Sequence, residues 1–189
     1  LAIANALGAN GLIFHIGSSK DMPKDQVMDQ IADCMKKVLR LSMGSAQLII
    51  ENSAGGGAKI ADTPDEIGGL MDRVKSSRVK VCIDTAHAFE AGLIQEYTPA
   101  NIKKMFDECD EAFGCEHIVA LHVNDSKTAF NSHHDRHENI GQGHIGMDGF
   151  RNLAKEKRIA KTSWLLEVPG FDGEGPDKKN IDMLKSCFA

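Results

Sequence analysis

Three consecutive segments decide the fold class: Val79-Lys-Val-Cys-Ile-Asp84, Thr98-Pro-Ala-Asn-Ile-Lys-Lys-Met-Phe-Asp-Glu-Cys-Asp-Glu-Ala-Phe-Gly114 and His117-Ile-Val-Ala-Leu-His122. The first and third are short apolar runs, which are typical of parallel strands buried on both faces. The middle segment opens with Thr-Pro, carries an apolar face at helical spacing and ends at a glycine, all of which favour a helix. The pattern predicts parallel strands joined by a right-handed helical crossover.

The same alternation continues on both sides of this unit. It predicts further strands at Gly11–His15, Gln47–Glu51 and Ser163–Glu167, and helices at Lys24–Leu41, after the Thr63-Pro-Asp-Glu66 capping box, near Met147–Lys157 and near Asp177–Cys187. Five strand–helix units predict an α/β fold, built either as a doubly wound open sheet or as part of a (β/α) TIM barrel. We expect residues 1–189 to form one domain, since that length is typical of a single core.

Composition limits the classes of function. The net charge of −5 gives no overall attraction to nucleic acid, so a nucleic-acid partner would require a local basic patch or bound metal ions. No apolar run approaches the ~20 residues of a membrane span. Five scattered cysteines without a C-x-x-C pair favour a reducing compartment, and we therefore expect a cytoplasmic protein.

The predicted strands all end in side chains that bind metals: His15, Glu51, Asp84, His122 and Glu167. In a barrel the carboxyl ends of the strands converge on one face, where active sites lie. Converging carboxylates repel each other unless cations neutralise them. The pattern therefore predicts a metal site, to which His87, Asp135 and His137 in the following loops add a second group of ligands.

Other polar features are weaker indications. The Gly-rich stretch Asn52–Lys59 lacks the Gly-Lys-Ser/Thr of a phosphate loop, so we expect its glycines to allow close approach of backbone to the site or a substrate. The imidazoles of His133, His134 and His144 and the thiol of Cys82 are minor candidates for metal ligands.

Four motifs, in order along the chain, resemble the signatures of the endonuclease IV family. They are Val81-Cys-Ile-Asp-Thr-Ala-His-Ala-Phe89, Leu121-His-Val-Asn-Asp-Ser-Lys127, Asp135-Arg-His-Glu-Asn-Ile-Gly-Gln-Gly-His-Ile-Gly146 and Leu165-Leu-Glu167, and Ile50-Glu-Asn-Ser-Ala-Gly55 also fits. The resemblance implies a (β/α) barrel with a cluster of zinc ions that cleaves double-stranded DNA on the 5′ side of abasic sites during base excision repair.

The resemblance also implies roles for individual residues. Glu51 would bridge the first two ions, with His15 on the first and Asp84, His122 and Glu167 on the second. His87, Asp135 and His137 would hold the third, Glu51 and Glu167 would act in catalysis, and Lys127 and Arg136 would contact phosphates. Two to three zinc ions are expected, with manganese as an alternative, and close ion pairs would activate a water as hydroxide.

The chain departs from this family in two respects. The first three strand–helix units of the family barrel, with one histidine ligand of the first zinc, have no counterpart here. The family sequence Pro-Gly-Ser-His after His15 is replaced by Ile16-Gly-Ser-Ser19. Because five strands leave open edges, we expect either self-association or an N-terminal segment that completes the barrel.

Two alternative functions stay open on the sequence alone. Sugar isomerases and epimerases of the xylose-isomerase type share the fold and would use Glu51, Asp84, His122 and Glu167 for one divalent ion. A truncated barrel that binds metal or DNA without catalysis is the other alternative.

Overall fold

The computed structural model describes residues 1–189 and consists of one main sheet flanked by helices. The helices are α1 (Ala2–Leu7), α2 (Lys24–Leu41), α3 (Pro64–Val74), α4 (Thr85–Glu90), α5 (Pro99–Phe113), α6 (Gly146–Leu153) and α7 (Lys178–Lys185). The strands are β1 (Gly11–Phe14), β2 (Gln47–Glu51), β3 (Val79–Asp84), β4 (Ile118–His122), β5 (Asp125–Ser126), β6 (His137–Glu138) and β7 (Ser163–Leu165).

The main sheet has the order β1-β2-β3-β4-β7, and all of its neighbouring strands are parallel. A doubly wound sheet would reverse its strand order at a switch point, whereas this order follows the chain, as in the wall of a barrel. The five strands form a sector that is not closed, because β1 and β7 are both edges. The α/β barrel-type fold predicted from the sequence is therefore confirmed.

The core lies between the outer face of the sheet and the helices, because the apolar faces of α3 and α5 pack there. Fully buried side chains from both layers meet in it, among them Ile50, Val81, Leu70, Ile102 and Phe106. The helix starts follow the sequence signals: the hydroxyls of Thr63 and Thr98 accept hydrogen bonds from the amides three residues later. Gly114 ends α5 with φ of 83°, a conformation that favours glycine.

The inner face of the sheet is open. A concave cavity of about 630 Å³ borders this face, with Ile13, Ile49, Val119 and Leu165 among its lining side chains. Both edge strands, β1 and β7, contribute residues to its wall. What covers this face, whether a second copy or a further segment, stays a prediction from the sequence.

Several predicted boundaries were wrong. β1 ends at Phe14 and β7 at Leu165, so His15 and Glu167 follow their strands rather than end them. Both are edge strands with one neighbour, and the parallel ladder ends at the pairs Phe14–Ile50 and His122–Leu165. The predicted helix to Lys157 stops at Leu153. No helix in the protein has the length and apolar character needed to cross a membrane.

Candidate metal centre

The first group of ligand side chains, the strand-end group, consists of Glu51, Asp84, His122 and Glu167. β2, β3 and β4 end at the first three of these residues, and Asp84 pairs directly with His122 in the parallel register. The Nδ1 atom of His122 lies 2.8 Å from Oε1 of Glu51 and 3.0 Å from Oε2 of Glu167. One ligand atom from each of the four residues lies within 4.8 Å of the others.

The second group, the loop group, consists of His87, Asp135 and His137. Its three ligand atoms are mutually close: His87 Nε2 to Asp135 Oδ1 is 3.3 Å, His137 Nε2 to the same oxygen 3.6 Å, and the two Nε2 atoms are 3.4 Å apart. Ligands about 2 Å from a tetrahedral zinc ion are themselves about 3.3 Å apart. The spacing of the loop group therefore fits a single ion.

The short helix α4, which the sequence analysis did not predict, places His87. Asp84 caps this helix by accepting a hydrogen bond of 2.9 Å from the amide of His87, so the strand-end carboxylate starts the turn that carries the imidazole. Asp135 and His137 come from the long segment between β4 and α6. A two-residue antiparallel pair, in which Ser126 faces His137, orders that segment.

Backbone carbonyls fix which nitrogen each loop-group imidazole presents. Nδ1 of His87 lies 3.0 Å from the carbonyl oxygen of Asn52, and Nδ1 of His137 lies 3.2 Å from that of Glu167. Nδ1–H donates in each case, so Nε2 of both rings faces Asp135 as a ligand atom. Such outer hydrogen bonds are typical of metal-binding histidines.

Two asparagines hold the buried residue Asp84, one through its carboxylate and the other through its backbone. Asn124 donates a hydrogen bond of 2.7 Å from its Nδ2 to the Oδ2 atom of Asp84. The backbone amide of Asp84 donates to Oδ1 of Asn52, and Nδ2 of Asn52 donates to the carbonyl oxygen of Asp84. Asn124 also accepts a hydrogen bond of 2.8 Å from the amide of Glu167. Neither asparagine was predicted from the sequence as part of the site, although Asn52 follows Glu51 by one position and Asn124 follows His122 by two.

The two oxygens of Glu51 face different partners. Oε1 lies towards His122, while Oε2 lies 3.6 Å from Nε2 of the half-exposed His15. This divergence is what a bridging carboxylate requires. His15 also groups with His87 and Asp135, so it lies between the two groups rather than at a separate site. All eight predicted ligands are thus brought together, and their binding of metal stays a prediction.

The site is rich in negative charge, and no Lys or Arg pairs with its carboxylates. Burial raises the pKa of Glu51, but hydrogen bonds with His122 and His87 outweigh it and lower that pKa to about 2. Burial lowers the pKa of His87, but Asp84, Asp135 and Glu51 outweigh it and raise that pKa to about 11. The protonated imidazole of His87 therefore offsets part of the negative charge, and divalent cations could take over this role.

The weaker candidates lie outside both groups. Exposed His134 and His144 belong to none of the clustered ligand sets, and Cys82 packs with Ile49 and Ala120 one layer below. His133 packs against the glycine-rich stretch: a Cβ on Gly55 or Gly56 would meet its side chain at 2.7 Å. Both glycines also have φ of 76°, so close approach of the loop explains them.

The predicted DNA contacts are exposed and lie near the loop group without entering it. The amide of Lys127 donates to the carbonyl of Arg136, and the guanidinium of Arg136 bonds to the carbonyl oxygen of Asp135. Lys59, which the sequence analysis considered only as a phosphate-loop lysine, lines a cleft of about 280 Å³ together with His15, Ser18, Ser53 and Asp135. Its ammonium has no carboxylate partner within 4 Å.

The chain is similar in sequence and in fold to known proteins. A family model described as xylose isomerase-like TIM barrel matches residues 1–187. A probable endonuclease 4 of Campylobacter curvus is 38% identical over 164 residues, covering 86% of this chain and 57% of that protein. Another, of Sulfurihydrogenibium sp., is 33% identical over 190 residues, covering 100% of this chain and 67% of the relative.

Among solved structures, endonuclease IV from Thermus thermophilus superposes with a TM-score of 0.82 at 27% identity, covering 99% of this chain and 64% of that one. The chain thus spans roughly three fifths to two thirds of the length of these proteins.

Proposed function

The chain belongs to the endonuclease IV family of xylose isomerase-like TIM barrels, and we propose that it is a metal-dependent hydrolase that cleaves DNA on the 5′ side of abasic sites in base excision repair. One observation carries this proposal: the loop group lies in contact with the strand-end group, and together with His15 they supply eight ligand side chains on one edge of the sheet. Residues 1–189 would act as one catalytic domain in a reducing cellular compartment.

The donor set fits two to three zinc ions, because it contains only imidazoles and carboxylates at ligand spacing. Bound ions of this kind activate water and neutralise charge on phosphoryl oxygens. The strand-end group would hold one ion, the loop group another, and Glu51 with His15 would contribute to a third.

The protein's own residues would orient the reaction. Glu51 is buried, and His122 and His87 both contact its Oε1 atom, which leaves Oε2 to face His15. Glu167 differs, because its backbone is held by Asn124 while half of its side chain is exposed. We assign Glu167 to orienting the attacking water and accepting its proton, since it is the strand-end carboxylate that substrate can reach.

DNA binding would depend on local charge, because the whole chain has a net charge of −5. Lys59 lines the cleft beside His15 and Asp135, while Lys127 and Arg136 lie on the exposed segment next to the loop group. These three cations would contact backbone phosphates around the abasic nucleotide.

Sugar isomerisation is the competing function. It would need only the strand-end group. It would not explain why His87, Asp135 and His137 lie at ligand distance from one another. The phosphodiesterase is favoured for that reason.

The deciding experiment is a nicking assay on a duplex with one abasic site, using the full chain loaded with zinc. We expect a single cut on the 5′ side of that site, no cut in the intact duplex, and loss of activity with a chelator that zinc restores. The variant His134→Ala, an exposed histidine of the same loop, is the matched control and should retain activity. A zinc-loaded, folded chain that leaves abasic DNA intact would contradict the proposal.

A further inference from the structure

Glu90 is a buried carboxylate to which the proposed reaction gives no role. It is the last residue of α4, one helical turn after His87, and it is fully buried. Its Oε2 atom has no hydrogen-bond partner, and it is the only buried side-chain polar atom in the protein in that state. Burying a carboxylate costs free energy that an apolar side chain would avoid. The hydrogen bonds of the other oxygen, Oε1, must therefore offset that cost.

The Oε1 atom of Glu90 accepts hydrogen bonds from residues on both sides of the β5–β6 pair. The hydroxyl of Ser126, on β5, lies 2.7 Å away, and that of Thr128 lies 3.1 Å away. The amide of Arg136 donates a hydrogen bond of 3.3 Å to the same oxygen. One carboxylate oxygen thus ties the outgoing and returning parts of the loop to α4.

The contact with Arg136 connects Glu90 to the loop group. The Arg136 amide lies between Asp135 and His137, so a bond at this atom fixes the backbone between the two ligands that the loop supplies. The carbonyl oxygen of Glu90 also accepts a hydrogen bond of 3.0 Å from the amide of His133. Since α4 itself carries His87, the helix supplies the third ligand and holds the segment that supplies the other two.

We propose that Glu90 is a positioning residue that holds Asp135 and His137 at ligand distance from His87, and so sets the affinity of the loop group for its ion. The inference rests on the proposed function only in requiring that the loop group binds a metal. An amide oxygen can accept the same three donors, so Glu90→Gln preserves the connection. Glu90→Ala instead leaves the Arg136 amide without this acceptor, while the hydroxyls of Ser126 and Thr128 keep their carbonyl acceptors within the loop and no longer connect it to α4.

The test is a zinc titration of the full chain against a chromophoric chelator, carried out on the wild type, Glu90→Ala and Glu90→Gln. In Glu90→Ala we expect the affinity for one ion to fall about tenfold or more, the size of effect typical of outer-shell partners, with the other ions unchanged. In Glu90→Gln we expect all affinities to match those of the wild type. The variant Glu138→Ala, which alters a carboxylate on β6 bonded only to neighbouring Asn139, is the matched control.

Ser126→Ala removes one of the three donors without opening a large cavity, and it keeps the inference testable if Glu90→Ala does not fold. We expect a fall of about threefold for the same single ion. Unchanged affinities in both Glu90→Ala and Ser126→Ala, or equal losses in the Gln and Ala variants, would overturn the positioning role. A wild-type chain that binds no ion would instead contradict the proposed function.

Discussion

The strand-end group and the loop group lie side by side but are built in different ways. Three of the four strand-end ligands are the last residues of neighbouring parallel strands, so the sheet alone brings them together. The loop group depends on a six-residue helix, a two-residue strand pair and single hydrogen bonds to Asn52 and Glu90. Rigid secondary structure therefore fixes the strand-end group, while a polar network fixes the loop group.

The largest loss of nicking activity is expected from substitution of Glu51, where the two groups meet. Glu51→Gln removes a charge that faces His122 on one side and His15 on the other, and should reduce the nicking rate by about 10³-fold. Steady-state nicking assays at saturating DNA would measure this, with circular dichroism to verify folding. Nicking at the wild-type rate would exclude a bridging role for Glu51.

A smaller effect, on metal affinity, is expected from substitution of His87 in the loop group. His87→Ala removes a ligand and leaves only Asp135 and His137, so the affinity for one ion should fall by more than the roughly 10- to 100-fold typical of an outer-shell change, while the strand-end group keeps its ion. Elemental analysis at controlled free zinc would detect the change. Equal loss of all ions would mean that the two groups form a single cooperative unit, and would contradict two separately held groups.

Proton release on metal binding should distinguish the loop group from the strand-end group. The pKa of His87, raised to about 11, means that this imidazole is protonated at pH 7 in the metal-free chain. An ion must displace that proton, so zinc affinity should rise as pH rises, with about one proton released by His87. Calorimetry in two buffers of different ionisation enthalpy would count the protons. Affinity that increases on acidification would contradict the assignment of His87.

The smallest effect, on DNA binding, is expected from substitution of Lys59. This residue lies beside the two groups and belongs to neither of them. Lys59→Ala should raise KM for abasic DNA several-fold at about 0.15 M salt, leave kcat unchanged and reduce the salt dependence of binding by about one phosphate contact. Binding titrations at several salt concentrations would measure it, with the exposed Lys161→Ala as the control. An unchanged salt slope would remove Lys59 from the DNA interface.

The sequence predicted the strand-end group more completely than the loop group, because strands are recognisable from sequence and single hydrogen bonds are not. Continuous apolar runs mark buried parallel strands, and their ends locate Glu51, Asp84 and His122 without further information. The positions of Asp135 and His137 depend on hydrogen bonds between residues more than forty positions apart, such as that from the Arg136 amide to Glu90. Helix α4 was missed because six residues give no periodic pattern. Edge strands ended early because only one neighbour supports each of them.

The number of metal ions per chain decides whether the two groups bind separate ions. Protein of verified mass, prepared without chelator and dialysed against low zinc, should contain at least two zinc ions per chain by elemental analysis, and one of them should be lost in His87→Ala. A single ion that is retained in His87→Ala and lost in Glu51→Gln would contradict the account, because it would leave the strand-end group as a one-metal site of the sugar-isomerase type.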